Sequence, residues 1–366
     1  MILCCFLSIH PKSQSFIGVI KLQKIHVNTS HPYDITIGTS ILEDCGDIIK
    51  KVSKAAKIAI VTDDIVDSLY SEKVINSFKK SGFNVIKFVF PNGETSKCFK
   101  TLNNLYDFLA NNEITRSDCL VALGGGVVGD LTGYASATFL RGIDFIQIPT
   151  TLLAQVDSSI GGKTAIDIPA GKNLVGAFKQ PLAVICDIST LSTLKPEIFS
   201  DGMGEVVKYA MIRSRELFEI LSEKDIKDNL EDVICKCIDI KRQIVENDEF
   251  DKGERMLLNF GHTFGHAIEK IQNFTGLSHG SAVSVGMCII TELAVKQGLC
   301  NEDTYTNLKK CLKKYNLPLS VDISYEELVK HCVNDKKRDA DNINLVISTE
   351  IGKSELRKVP IKSLLD

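Results

Sequence analysis

Two histidines, His262 and His266, stand four residues apart in Gly-His-Thr-Phe-Gly-His-Ala-Ile-Glu at 261–269. In a helix that spacing puts both imidazoles on one face, where they can enter one site. A third, His279, follows in Leu-Ser-His-Gly, and the whole chain has only seven histidines. Imidazole is a common zinc ligand and the usual proton carrier near neutral pH. Upstream, Gly-Glu-Val-Val-Lys at 204–208 reads as helical and puts Glu205 and Lys208 on one face. A carboxylate with two histidines and an open position is a catalytic zinc pattern. Spacing by itself selects His262 and His266 as the imidazole pair. Taken singly, each histidine reads equally as a buried or capping residue, and Glu205 as a surface acid.

Lys241, Arg255 and Asn259 extend this polar set. Arg255 and Asn259 are four apart and share the helical face leading toward His262. Several cations around one metal imply an anionic substrate. Each of them alone reads as a solvated helix residue.

A second chemical signal is Gly-Gly-Gly-Val-Val-Gly-Asp at 124–130, which fits Gly-x-Gly-x-x-Gly. It follows an apolar strand-like run and precedes a helical one. In that context backbone N–H groups can approach a pyrophosphate at a helix N-terminus. The acid expected some 20 residues on to bind ribose would be Asp144, which starts a strand and so sits at the wrong end. Asp63 and Glu94, each just after a strand, are better placed. The site is a nucleotide site, but not of ordinary Rossmann form.

The third signal is the polar run 149–178. Asp157, Lys163, Lys172 and Asn173 lie within it, with Gly161 and Gly162 permitting close backbone approach. Gly-Lys-Thr at 162–164 lacks the first glycine of a Walker A loop, so that reading is rejected. The bland reading is a solvated surface loop.

These residues need a frame. Apolar runs at 57–62, 84–90, 119–123 and 144–148 read as strands, with helical stretches at 66–81 and 98–112 between them. That alternation implies a parallel sheet with helices on its faces. After about residue 198 the periodicity is helical at 203–222, 226–248, 254–272, 281–298, 303–315 and 325–334, and only 343–347 looks extended. The expected organisation is an extension at 1–21, an α/β domain at 22–197 and a mainly α-helical domain at 198–366. The extension reads as disordered, or as the product of an upstream start codon; a signal peptide is not expected, for want of a basic start and a small-residue cleavage site.

Bulk properties narrow the class. The 366 residues are 44% hydrophobic and 24% charged, with a net charge of −3. No basic run proposes nucleic acid as a partner, and no apolar run is long enough for a bilayer. The twelve cysteines are scattered, mostly in apolar contexts, without a Cys-x-x-Cys pair. They read as reduced core thiols of a cytoplasmic protein.

Taken together and in order, the glycine loop, Phe-Leu-Arg-Gly at 139–142, Pro-Thr-Thr-Leu-Leu-Ala-Gln-Val-Asp-Ser-Ser at 149–159, Gly-Lys-Asn-Leu-Val-Gly-Ala-Phe at 171–178, Gly-Glu-Val-Val-Lys and Gly-His-Thr-Phe-Gly-His-Ala-Ile-Glu resemble the 3-dehydroquinate synthase family of sugar-phosphate cyclases. The resemblance runs from about Ile25 to the C-terminus. It implies a Rossmann-like NAD-binding α/β domain and a helical metal-binding domain, with the site in the cleft between them. It implies zinc, or cobalt, on Glu205, His262 and His279, which replaces the spacing-based pair and leaves His266 behind the ligands or handling a proton, near the substrate phosphate.

Its NAD contacts fall on Asp63, on Asn92, Gly93, Glu94, Thr95, Ser96 and Lys97, on Gly126, Val127, Val128, Gly129 and Asp130, on Thr150, Thr151, Lys163 and Lys172, and on Thr190, Leu191, Ser192 and Thr193. Its substrate contacts fall on Asp157, Lys163, Asn173, Lys208, Lys241, Arg255, Asn259 and His266, with Lys336 or Lys337 adding another. Arg141 would reach the neighbouring subunit's site, which implies a homodimer. Ser281 departs from the family, which often has an acid there, and little effect on metal binding is expected.

The implied reaction converts 3-deoxy-D-arabino-heptulosonate 7-phosphate, a small anionic sugar phosphate, to 3-dehydroquinate and phosphate. It runs through transient oxidation by NAD, β-elimination of phosphate, re-reduction, ring opening and an intramolecular aldol. Another cyclase of the superfamily, a metal-dependent polyol dehydrogenase of related fold and a non-catalytic NAD-binding protein remain as alternatives.

Overall fold

The computed structural model describes residues 22–335 and 342–364. The expectations for 1–21 and for Lys336 and Lys337 fall outside them. The described chain enters through an antiparallel pair, β1 (Gln23–Val27) and β2 (Tyr33–Gly38). Then come β3 (Lys57–Asp63), β4 (Asn84–Phe90), β5 (Cys119–Gly124) and β6 (Asp144–Pro149), separated by helices at Glu72–Lys80, Phe99–Asn111 and Gly126–Thr138. Next are the hairpin β7 (Lys163–Ile168) and β8 (Gly171–Phe178), and then β9 (Ala183–Asp187).

Seven strands form one sheet in the order β1-β2-β9-β6-β5-β3-β4, parallel except for β1. The period-2 rule explains why the inner strands read as continuous apolar runs. On β3, Ile58 and Ile60 pack on one face and Ala59 and Val61 on the other; on β5, Val121 and Leu123 oppose Leu120 and Ala122. The sheet is therefore covered on both sides by helices.

β3 and β5 are neighbours, and the chain leaves them in opposite directions, to β4 and to β6. That makes a switch point, where open α/β sheets place their ligand crevice beyond the strand carboxyl ends. Asp63 ends β3 there and Gly124 ends β5.

The second half is helical: Pro196–Arg213, Arg215–Glu223, Ile226–Asn247, His262–Ile271, His279–Lys296, Glu302–Lys314 and Tyr325–Asp335. It closes with an antiparallel pair, β10 (Asn342–Glu350) and β11 (Lys353–Pro360). One hydrophobic cluster joins the halves, since Tyr33, Ile35, Val184 and Cys186 of β2 and β9 pack with Val206, Ile234, Ile238 and Phe264 of the helices.

Four local expectations are corrected. The polar run 163–178 is a β-hairpin rather than a loop; its strands pair with each other and pack on the Gly126–Thr138 helix. The stretch 203–222 is two helices, broken at Ser214, whose Oγ accepts from Leu217 N at 3.1 Å and caps the second. The stretch 254–272 is also split. Residues Glu254–Asn259 form a 3-10 turn, and Gly261 at φ 79° re-aims the chain before the helix His262–Ile271. Arg255 and Asn259 consequently do not share an α-helical face. Finally, the C-terminal extended run is a pair of strands. Among the described residues Cys45, Cys98, Cys119, Cys186, Cys237, Cys288, Cys300 and Cys311 are free thiols, and no helix is long and apolar enough to cross a membrane.

Candidate active site

A close helix crossing builds the centre of the site. Gly204, on the Pro196–Arg213 helix, meets Gly280, on the His279–Lys296 helix; a Cβ on Gly204 would lie 2.7 Å from the Gly280 carbonyl oxygen. Only two glycines allow this approach, and it sets Glu205 beside His279. Ser281, the family departure, donates its N–H to Asp201 Oδ1 at 3.2 Å and so ties the same helix start to the Glu205 helix.

Glu205 is fully buried. Its Oε1 lies 3.4 Å from His262 Nε2 and 3.5 Å from His279 Nε2, while Oε2 is ion-paired to Lys208. Neither oxygen makes a hydrogen bond of regular geometry. Burial opposes ionisation, but the Lys208 ammonium outweighs it and holds the carboxyl down at about 2.

His262 Nδ1 is 3.2 Å from the Phe260 carbonyl oxygen, which can only accept. Nδ1 therefore carries the proton and Nε2 presents a lone pair. Burial presses this imidazole down to about 3, so it is neutral. His279 Nδ1 lies 3.5 Å from Glu269 Oε2. Burial opposes a charge on His279, but Glu205 and Glu269 on its two sides raise it to about 10. Both carboxylates attract positive charge to this point, a demand that a divalent cation also meets.

The ligand atoms of Glu205, His262 and His279 lie within 4.8 Å of one another. A buried carboxylate whose oxygens lack a regular hydrogen bond, with two directed imidazoles, fits a divalent cation that accepts N and O donors. His266 sits on the exposed side of its helix, its ring 5.4 Å from that of His262 and 6.1 Å from that of His279. A second possible ligand group, His266, Glu269 and His279, shares His279 with the first.

Lys208 continues from the metal-type cluster into a buried polar chain. Its ammonium lies 4.8 Å over the Tyr209 ring, and Tyr209 Oη donates to Asp157 Oδ1 at 2.5 Å. Lys241 Nζ donates to the same Oδ1 and to the Asp157 carbonyl, both at 2.6 Å. Burial opposes the Asp157 charge, yet Lys241 and Lys208 hold its carboxyl well below the usual range. Burial also presses Lys241 down to about 8, more than Asp157 recovers, with Arg255 adding to the fall.

Asp157 and Lys241 line a cavity of about 560 Å³ together with Asp130, Lys163 and Asn173. Asn173 Oδ1 accepts from Lys97 Nζ at 2.7 Å, which leaves its amide NH2 as the free end. Lys97 is buried and also meets Glu94 at 2.8 Å and Asp130 at 3.2 Å. Lys163 is paired with Asp251. A second cavity, about 190 Å³, is lined by Asn259, His262, His266, Lys270 and His331 among others. Arg255 is buried, donating to the carbonyls of Gly161 at 3.0 Å and Glu249 at 2.6 Å. Its Nε has no partner.

Most of the dinucleotide candidates lie at strand carboxyl ends of the seven-stranded sheet, while Lys163 opens β7 and Lys172 stands near the start of β8. Asp63 ends β3; Asn92 to Lys97 follow β4; Gly126 to Asp130 follow β5; Thr150 and Thr151 follow β6; Thr190 to Thr193 follow β9. Asp63 Oδ1 caps the turn after β3 by accepting from Val66 N at 2.9 Å. Val128 and Leu191 are packed in the core, so they offer backbone atoms. Gln155 Nε2 ties the ends of β6 and β9 by donating to the carbonyls of Pro149 at 3.2 Å and Asp187 at 3.0 Å. Arg141, exposed and at φ 68°, precedes β6 and lies at the opposite end of the sheet from this crevice.

Sequence reasoning missed Tyr209, Gln155, Asp251 and Glu269. Only Glu269 left a signal, as the residue three beyond His266 and on its helical face; the others are brought in by tertiary packing.

The 3-dehydroquinate synthase N-terminal family profile matches residues 87–201, and the C-terminal profile matches 202–338. A 3-dehydroquinate synthase from Clostridium acetobutylicum is 48% identical over 335 residues, 90% of this chain and 94% of that protein. One from Streptococcus thermophilus is 44% identical over 345 residues, 92% of this chain and 97% of that protein. The structure of a 2-deoxy-scyllo-inosose synthase complexed with carbaglucose-6-phosphate, NAD+ and Co2+ superposes with a TM-score of 0.83 at 26% identity, covering 94% of this chain and 98% of that one. With two matching profiles across both halves and near-complete relatives, the chain belongs to the 3-dehydroquinate synthase family.

Proposed function

We propose that this protein converts 3-deoxy-D-arabino-heptulosonate 7-phosphate to 3-dehydroquinate and phosphate, with NAD and one divalent metal, as a step of the shikimate pathway. The observation that carries this reading, beside the family, is the Glu205–His262–His279 cluster next to the buried cations Lys208 and Lys241. Imidazole and carboxylate donors suit zinc, and cobalt equally.

When bound, NAD+ supplies a hydride acceptor and the metal a Lewis acid for a substrate oxygen. The remaining work belongs to the chain's own residues. Glu205, His262 and His279 would hold the metal. Lys163, Lys208, Lys241 and Arg255 would hold the substrate's carboxylate and phosphate. Asp157, kept ionised, fixes the Lys241 ammonium at its Oδ1. Asn173 is oriented by Lys97 so that its amide N–H groups can donate to a substrate hydroxyl. His266 would hold or pass a proton beside the substrate phosphate, which is itself the base for its own elimination. For ring opening and aldol closure the site needs to orient the reacting atoms and exclude water.

A cytoplasmic homodimer is part of this proposal. Arg141 supports the dimer, because it sits away from its own chain's crevice. Free thiols such as the buried Cys45, Cys119, Cys186 and Cys288 support a reducing compartment.

The deciding assay supplies the heptulosonate phosphate with NAD+ and zinc. Phosphate and dehydroquinate should appear in equal amounts with no build-up of NADH. NADH accumulating without phosphate release would instead indicate a polyol dehydrogenase. Phosphate released with a different carbocycle would indicate another cyclase.

A further inference from the structure

Glu269 lies on the helix His262–Ile271 and is buried. Its two oxygens face two halves of the molecule. Oε2 is 3.5 Å from His279 Nδ1, the ring nitrogen opposite the one that faces Glu205. Oε1 is 3.3 Å from Lys172 Nζ. Lys172 stands on β8, in the hairpin of the α/β half, where its ammonium also lies 4.7 Å over the Phe274 ring. Its side chain is 27% exposed, so it can change partner without leaving the core.

A carboxylate on Nδ1–H makes the far nitrogen of an imidazole a stronger donor to a metal. An ammonium on the other oxygen draws that charge away. One buried carboxylate is thus shared between a metal ligand and a cation on the dinucleotide side of the cleft.

We infer that Glu269 is a positioning residue that couples metal binding at Glu205–His262–His279 to dinucleotide binding through Lys172. The inference rests on the proposed function, in which Lys172 meets the dinucleotide. When an anionic pyrophosphate draws Lys172 off Glu269, the carboxylate serves His279 alone, and the metal is held more tightly. Linkage requires the reverse as well: the metal tightens dinucleotide binding by the same factor.

The test uses the full chain and binding alone. Zinc affinity is measured by competition with a chromophoric chelator, with and without saturating NAD+. NAD+ affinity is measured by calorimetry on zinc-free and zinc-loaded protein. Saturating NAD+ should tighten zinc at least about fivefold, and zinc should tighten NAD+ equally. Glu269→Gln should weaken zinc roughly 10- to 100-fold and bring the NAD+ effect to one. Lys172→Met, at a partly exposed position, should keep the fold and bind zinc without NAD+ at least as tightly as the unsubstituted protein, with no response to NAD+. A folded Glu269→Gln protein that keeps the full NAD+ effect overturns the inference, as does a Lys172→Met protein with weakened zinc or an undiminished NAD+ effect. If Glu269→Gln does not fold, Lys172→Met still decides. NAD+ that binds the unsubstituted protein without moving zinc affinity sinks the coupling alone. Failure of the zinc-loaded protein to bind NAD+ at all sinks the proposed function, and the coupling with it.

Discussion

Lys241 shows how burial sets a working range. Its ammonium is pressed down to about 8 because it is desolvated between Asp157 and the cations Arg255 and Lys208. Below that pH it is charged and can hold an anion; above it the charge is lost. KM for the sugar phosphate should therefore rise above pH 8, by up to about tenfold per unit, with kcat changing less. A KM flat to pH 10 would remove Lys241 from the anion site. The same shift has a stability consequence of opposite sense. Between about 8 and its unfolded value the unfolded chain binds more protons at Lys241, so this group's penalty on the folded state shrinks as pH rises through that window.

The two-histidine spacing was legible in sequence, but it selected a different pair from the two imidazoles that lie against Glu205. His262 and His266 do share a helix, yet Glu205 contacts His262 and His279, because His266 sits on the exposed side. The resemblance, not the spacing, selected the set that the geometry brings together.

At the scale of elements, the metal-type cluster depends on one crossing, Gly204 on Gly280. Gly204→Ala would drive a Cβ to within 2.7 Å of the Gly280 carbonyl and push the Glu205 helix away from His279. The expected result is a loss of about 1–3 kcal/mol in urea unfolding, with weaker zinc binding in chelator competition. Unchanged zinc affinity would mean that the crossing does not set the site.

The strands β3, β5 and β6 were readable because burial on both faces makes them continuous apolar runs; β4, at the sheet edge, is mostly exposed or half-buried and was readable from its valine, isoleucine and phenylalanine content. The hairpin β7–β8 was not, since its apolar residues are interleaved with Lys163, Asp167, Lys172 and Asn173 and with glycines, and β8 is wholly exposed or half-buried, so that it takes its order from pairing with β7. β11 was missed for the same reason: Lys353–Pro360 is almost wholly exposed or half-buried and takes its order from β10. The helical breaks at Ser214 and Gly261 interrupt runs whose periodicity continues across them.

At the scale of the molecule, Arg141 offers a test of assembly. A chain carrying Arg141→Ala and one carrying Glu205→Gln should each be inactive as homodimers. Mixed by unfolding and refolding together, half the dimers would be hybrids, each with one site complete. Activity should return to about a quarter of that of the unsubstituted protein. No recovery would mean that Arg141 does not serve the partner's site, and size-exclusion chromatography of the same sample would show whether a dimer forms.

The order of strands also has a consequence for synthesis. β2 pairs on its inner side with β9, Asp34 opposite Ala183, so nearly 150 residues separate the two partners. At roughly 5–20 residues per second on the ribosome, the first hairpin waits on the order of 10–30 s with one edge open. Through that interval the nascent chain carries an unpaired apolar edge, which makes it a client for any chaperone that covers strand edges until β9 emerges.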